Sequence, residues 1–141
     1  MATRRSPVEA VLTAMVTTLK GSTGVTGLAT GGVYNNVPQN TPYPYVEVTA
    51  PTDRRQDTYG RFGASTLVDV KVVSQYRGDQ EAARILDQCI RALDFQKPTM
   101  SGHTCLGISW EGNERFAEEV AGVVTRYHVA TCRVWTEQSS T

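Results

Sequence analysis

Two histidines and three cysteines are the residue types best suited to chemistry here, and they fall into two near pairs, His103-x-Cys105 and His128-x-x-x-Cys132, with Cys89 apart. Both pairs sit in alternating stretches that read as strands. Residues two apart on a strand share a face at roughly 6.6 Å and residues four apart at roughly 13 Å, so the second pair cannot grip one metal ion and the first needs distant help. A nucleophilic Cys-His pair drawn from separate strands remains geometrically open, which keeps a small cytoplasmic Cys/His enzyme among the readings. The paired carboxylates Glu118-Glu119 and Asp53 to Asp57 lie in charged connections, where a solvated surface is the default. No catalytic signature, cofactor motif or metal set emerges, and the chain reads as a non-enzyme.

A second cluster mixes charge and aromaticity: Arg54, Arg55, Asp57, Tyr59, Arg61 and Phe62. Basic side chains interleaved with aromatics suit single-stranded nucleic acid. Asp53 and Asp57 cancel much of that field, so the mixed signs favour a salt-bridged protein contact over a solvated loop, and both over nucleic acid.

These residues must be positioned by a frame of modest size. The 141 residues suit a single domain, expected to span 1–141 with frayed ends at 1–5 and 137–141, and able to bury roughly two thirds of the unfolded surface. Fourteen Lys and Arg balance fourteen Asp and Glu, which excludes a generally basic nucleic-acid binder. No apolar run approaches the roughly 20 residues that cross a bilayer, so no membrane role is expected. The odd cysteine count without CxxC spacing suits free thiols in a reducing compartment.

Ser6-Pro7-Val8-Glu9 reads as a helix start with a serine cap and a capping box, and Gly21 as its end. Val8, Val11, Leu12, Met15, Val16 and Leu19 follow the helical period and predict a buried stripe. The five glycines of residues 21–32 predict a turn-rich connection, without a phosphate-binding pattern. Residues 45–49 and 66–74 alternate as strands, with Val68, Val70 and Val72 on one face and Asp69 and Lys71 on the other, a face that is wet or meets a partner. The intervening PTDRRQDTYGRFG is either an irregular loop or a hairpin whose arms leave the sheet. Asp79 caps a second amphipathic helix carrying Ala82, Ile85, Leu86, Cys89, Ile90 and Leu93. Thr104, Leu106, Ile108 and Trp110 then alternate, EGNERFAEEVAG is a charged hairpin connection, and residues 123–135 form a closing strand. The expected class is α+β: a mostly antiparallel sheet with two amphipathic helices on one face.

The segment GVYNNVPQNTPYPYVEV, residues 32–48, holds three prolines, three asparagines and three tyrosines and only one acidic residue. Its prolines keep their predecessors extended and its Asn and Gly permit turns, making it a preset approach to a strand with an aromatic margin. Gly32-Val33-Tyr34, Val37-Pro38 and Pro44-Tyr45-Val46 follow a first helix and precede a long strand through Val73, a helix at 79–93 and a closing Cys132-Arg133-Val134-Trp135. Over about residues 8–136 this pattern resembles the tail completion or tail terminator proteins of long-tailed bacteriophages and prophages.

The resemblance implies a structural virion protein, without catalytic residues or cofactor. It implies a ring, typically hexameric, at the head-proximal end of the tail tube, which stops tube growth and offers a surface to the head connector. Implied partners are further copies of the chain, the tube protein and the connector protein, with DNA crossing the lumen without specific binding. The implied location is the neck of the virion tail, reached from the host cytoplasm during assembly. A head-completion or connector adaptor protein is the nearest rival. A closed ring needs two different complementary patches per subunit, and Arg54, Arg55, Asp57, Tyr59 and Arg61 are the expected subunit or tube contacts.

Overall fold

The computed structural model describes residues 3–57 and 60–139. Its elements are α1 (Val8–Lys20), α2 (Thr23–Thr26), β1 (Val33–Tyr34), β2 (Tyr45–Arg55), β3 (Gly63–Ser74), α3 (Gln80–Leu93), β4 (His103–Val120) and β5 (Val123–Gln138). The strands form one sheet in the order β1-β2-β3-β5-β4. Only the short β1–β2 pairing is parallel, so the sheet is mostly antiparallel and the fold is α+β.

The core lies between one face of the sheet and the helices α1 and α3. Val11, Met15 and Leu19 of α1 and Ile85, Cys89 and Leu93 of α3 meet Val46, Val48, Val68, Val70, Val72, Ala130, Cys132 and Val134, all buried. The α1 stripe is narrower than its period suggests, because Val8, Leu12 and Val16 stay half-exposed beside β1. The first cap also differs from expectation. Pro7 is the N-cap, Ser6 Oγ accepts from the Val8 N–H at 3.3 Å, and no capping box closes. Residues 21–32 are more than a connection: Ser22 caps the single turn of α2, whose Val25 is fully buried.

The proline-rich approach locks onto this frame through backbone contacts. Gly31 N–H donates to Pro44 O and Val46 N–H to Gly32 O, while Asn35 Nδ2 donates to Val48 O. A Cβ on Gly31 would overlap the Pro42 carbonyl and sit 2.7 Å from Pro44 O, so only glycine admits the chain here.

Three sequence expectations are corrected. The arms of the 51–63 segment do not leave the sheet: after a bulge between Thr49 and Thr52, β2 stays paired with β3 through Arg55↔Ala64. EGNERFAEEVAG is not a connection, because β4 runs through it to Val120 and the turn is only Ala121-Gly122, both at positive φ. Thr104, Leu106, Ile108 and Trp110 do not share a buried face. Register shifts between Cys105 and Gly107 and between Trp110 and Gly112 flip the parity, so His103, Cys105 and Ile108 point inward while Leu106 and Trp110 are exposed.

Candidate assembly surfaces

Asp57 organises the end of the molecule where β2 turns into β3. Its carboxylate accepts from Arg4 and from Arg55, each at 2.7 Å, and from the Gly63 N–H at 3.1 Å. The Arg4 hydrogen bond, then that of Gly63, then that of Arg55, hold its pKa far below the usual carboxylate range against some desolvation. Arg4 lies over the Phe62 ring at 4.6 Å, and Arg61 bonds Glu137 at 2.6 Å. The N-terminal strap is thus tied down here, with Arg5 N–H donating to Gln138 Oε1. Arg54 stands at the same end, opposite Ser65 on the face away from the helices, and makes no ion pair among the described residues. Arg55, Asp57 and Arg61 therefore share one end with Arg54, while Tyr59 lies outside the described residues.

A half-open cavity of about 270 Å³ sits beneath this cluster, bounded by Arg4, Arg5, Arg54, Arg55, His103 and Thr136. Both ring nitrogens of His103 and the Thr136 hydroxyl are buried without a hydrogen-bond partner among the described residues. Strand pairing puts these side chains together: His103 opposes Gln138, and Cys105 opposes Thr136.

The opposite end is a hairpin arm. β5 pairs with β3 only up to Arg126, so Glu118 to Thr125 project past the rest of the sheet. Asp79 fixes the root of this arm instead of capping α3 with its side chain. Its oxygens meet Arg115 at 2.5 Å, His128 Nε2 at 3.2 Å and Arg126 at 3.5 Å. The His128 hydrogen bond leads the causes that lower the Asp79 pKa. The outer edge of β4 is covered in its middle, where Phe95 N–H donates to Ile108 O and Trp110 N–H to Asp94. Beyond Glu111 that edge has no backbone partner among the described residues. Glu114, Glu118 and Glu119 on it form no ion pairs there either.

Among the described residues no helix covers the second face of the sheet. Register sets Tyr45, Val73, Tyr127 and Phe116 in one row across four strands. Phe116 stacks on Tyr127 at 4.7 Å, and Tyr43 leans on Tyr45 at 5.5 Å. The next row carries Lys71, bonded to Glu47 at 3.1 Å and placed 5.6 Å from the Tyr127 ring centre. Burial raises both the Tyr45 and Tyr127 pKa, keeping the phenols as neutral donors.

The thiols are poorly placed for chemistry. Burial, and then the neighbouring Cys132, push the Cys89 pKa up to about 12. Burial followed by Asp94, Asp69 and Glu111 does the same to Cys132, also to about 12. Cys105 is raised by burial as well, against a Gly107 backbone hydrogen bond. A thiol held protonated in the core is inert as a nucleophile.

Residues 13–137 match the family model described as tail completion protein gp17. The chain belongs to this family of structural proteins of phage tails. Among curated protein sequences none matches this tail completion chain. A chain in the solved virion of a native gene transfer agent particle shares its fold, with a TM-score of 0.82 at 19% identity over 92% of this chain and 96% of that one. Sequence reasoning missed the strap residues Arg4 and Arg5, and it named His103 and Glu118-Glu119 without reading that the first lacks a hydrogen-bond partner among the described residues or that the second lie on a projecting arm. The mirrored Val120-Ala-Gly-Val123 was the available signal for the arm.

Proposed function

We propose that this chain forms a ring, hexameric as the resemblance implies, on the head-proximal end of the phage tail tube. There it stops tube growth and presents the surface that joins the tail to the head connector. The observation that carries this reading is the family match across residues 13–137. Two features support it. The sheet leaves one face uncovered, and its ends differ in charge, as a head-to-tail contact that closes into a ring requires. Arg54, Arg55, Asp57 and Arg61 belong to the subunit or tube contacts. The tube protein and the connector are the further partners, at the neck of the virion, with assembly in the host cytoplasm. Balanced charge lets DNA cross the lumen without specific binding.

The test is electron microscopy of lysates from a phage carrying an early stop codon in this gene. Overlong tails, or tails detached from filled heads, are expected. Tails of normal length with unfilled or leaking heads would favour a head-side adaptor, and normal infectious particles would remove the structural reading.

A further inference from the structure

The two ends of the molecule carry opposite, unspent charge. At one end Arg5, whose guanidinium also donates to Ser139 O at 3.4 Å, and Arg54 lack a carboxylate partner among the described residues; Arg5 borders the cavity where His103 and Thr136 are buried without partners, and Arg54 stands at its rim, opposite Ser65 on the face of the sheet away from the helices. The one acid on that cavity among the described residues, Asp53, accepts from Thr66 Oγ1 at 3.2 Å. Apart from it the lining offers mainly donors, and buried polar atoms normally have partners. Guanidinium groups favour carboxylates through short, charge-assisted hydrogen bonds. At the other end Glu114, Glu118 and Glu119 stand exposed on the projecting arm, also without ion pairs among the described residues.

We infer that the basic cavity receives the acidic β4–β5 arm of a second copy of this chain, with Glu118 and Glu119 supplying the carboxylates. A single chain cannot make this contact with itself. Arg54 lies level with Trp135, and Glu119 with Val124, along the same sheet. Eleven strand residues separate those levels, roughly 35 Å at about 3.3 Å per residue. The contact joins unlike patches, so it can propagate head to tail with each copy using one end on each neighbour, whereas a reciprocal two-fold exchange of arms would stop at a dimer. The inference rests on the ring reading above and names its subunit contact.

Cysteine cross-linking tests it, because the native thiols are buried. A chain carrying Arg54→Cys and Glu119→Cys, both at exposed positions, is supplied to the stop-codon phage, and particles are mildly oxidised and run on a non-reducing gel. Multiples of this chain are expected, with neither single variant giving more than a dimer. Monomer alone, nothing beyond a dimer from the double variant, or a cross-link to a different protein overturns the inference.

If the double variant does not enter particles, charge exchange decides. Arg5→Glu with Arg54→Glu, and Glu118→Arg with Glu119→Arg, should each lower the yield of joined particles at least tenfold. All four together in one chain should recover most of it. Silent single-end reversals, or no recovery, overturn the contact. Overlong stop-codon tails with monomeric bands remove only the contact; normal tails with a ladder remove only the terminator reading.

Discussion

A catalytic thiol and a packing thiol differ by orders of magnitude in a simple labelling experiment. Cys89 and Cys132 move from an ordinary 9.0 to about 12. At pH 8 the thiolate fraction falls from about one in ten to about one in ten thousand, a loss of about a thousandfold before access is considered. Both side chains are also sealed in the core, so the reagent must wait for an opening event. Labelling of the folded chain by a chromogenic disulfide at pH 8 should therefore lag the urea-unfolded chain by well over a thousandfold at these two sites. The same shift has a stability consequence. A thiol whose folded pKa is raised contributes fully below its unfolded pKa and loses that contribution as pH climbs towards the folded value. At pH 10 each of these thiols should cost on the order of 1 kcal/mol relative to neutral pH. Urea melts at pH 7 and pH 10 of the wild type and a Cys89→Ala/Cys132→Ala chain would read it as a difference in pH dependence. One thiol reacting stoichiometrically within seconds in the folded chain would refute the reasoning and restore the enzyme reading.

Three further outcomes follow from the backbone and the charged end. Gly31→Ala should destabilise the chain by about 3 kcal/mol or prevent its folding, since the new Cβ meets two carbonyls; a denaturant melt measures it. Ala121→Gly should stabilise by about 1 kcal/mol, because Ala121 holds φ at +52° in the two-residue turn, and an unchanged thermal midpoint would count against that assignment. Asp57, with its folded pKa depressed mainly by Arg4, supports stability above its ordinary 3.8 and loses that support as pH falls below it. Asp57→Asn should therefore flatten the acid side of the stability curve, read by melts between pH 5 and pH 2.5.

Much of the frame was legible because its periods are regular. The stripe of α3 and the valine parity of β3 fix which side chains meet, and the prolines before Tyr45 mark a strand start. The failures share one cause, which is that local composition does not report pairing. Residues 111–122 look like a loop because an arm exposed on both faces has no reason to alternate. The bulge at Leu106 reverses parity without leaving a residue signature. Asp79 does hold the N-cap position of α3, but its side chain turns from the helix to His128, 49 positions away, which a local cap signal cannot report. Arg4 and Arg5 look like a frayed terminus for the same reason, since Asp57 and Gln138 hold them only in the folded chain.

The surfaces left uncovered combine attraction with restraint. An exposed strand edge and an aromatic row would ordinarily invite indiscriminate pairing. Here the part of β4 beyond Glu111 carries Glu114, Glu118 and Glu119, without ion pairs among the described residues, so two such edges repel when brought together. On the open face the Glu47–Lys71 pair interrupts the apolar surface beside the Phe116–Tyr127 stack. Like meets like poorly, while an acidic edge and a basic end attract. That asymmetry disfavours pairing of two acidic edges; an acidic edge meeting a basic end can be met serially, head to tail, as the ring reading takes it. Such a contact, built on exposed charges, should weaken as salt rises past the physiological range, where the screening length drops below about 8 Å.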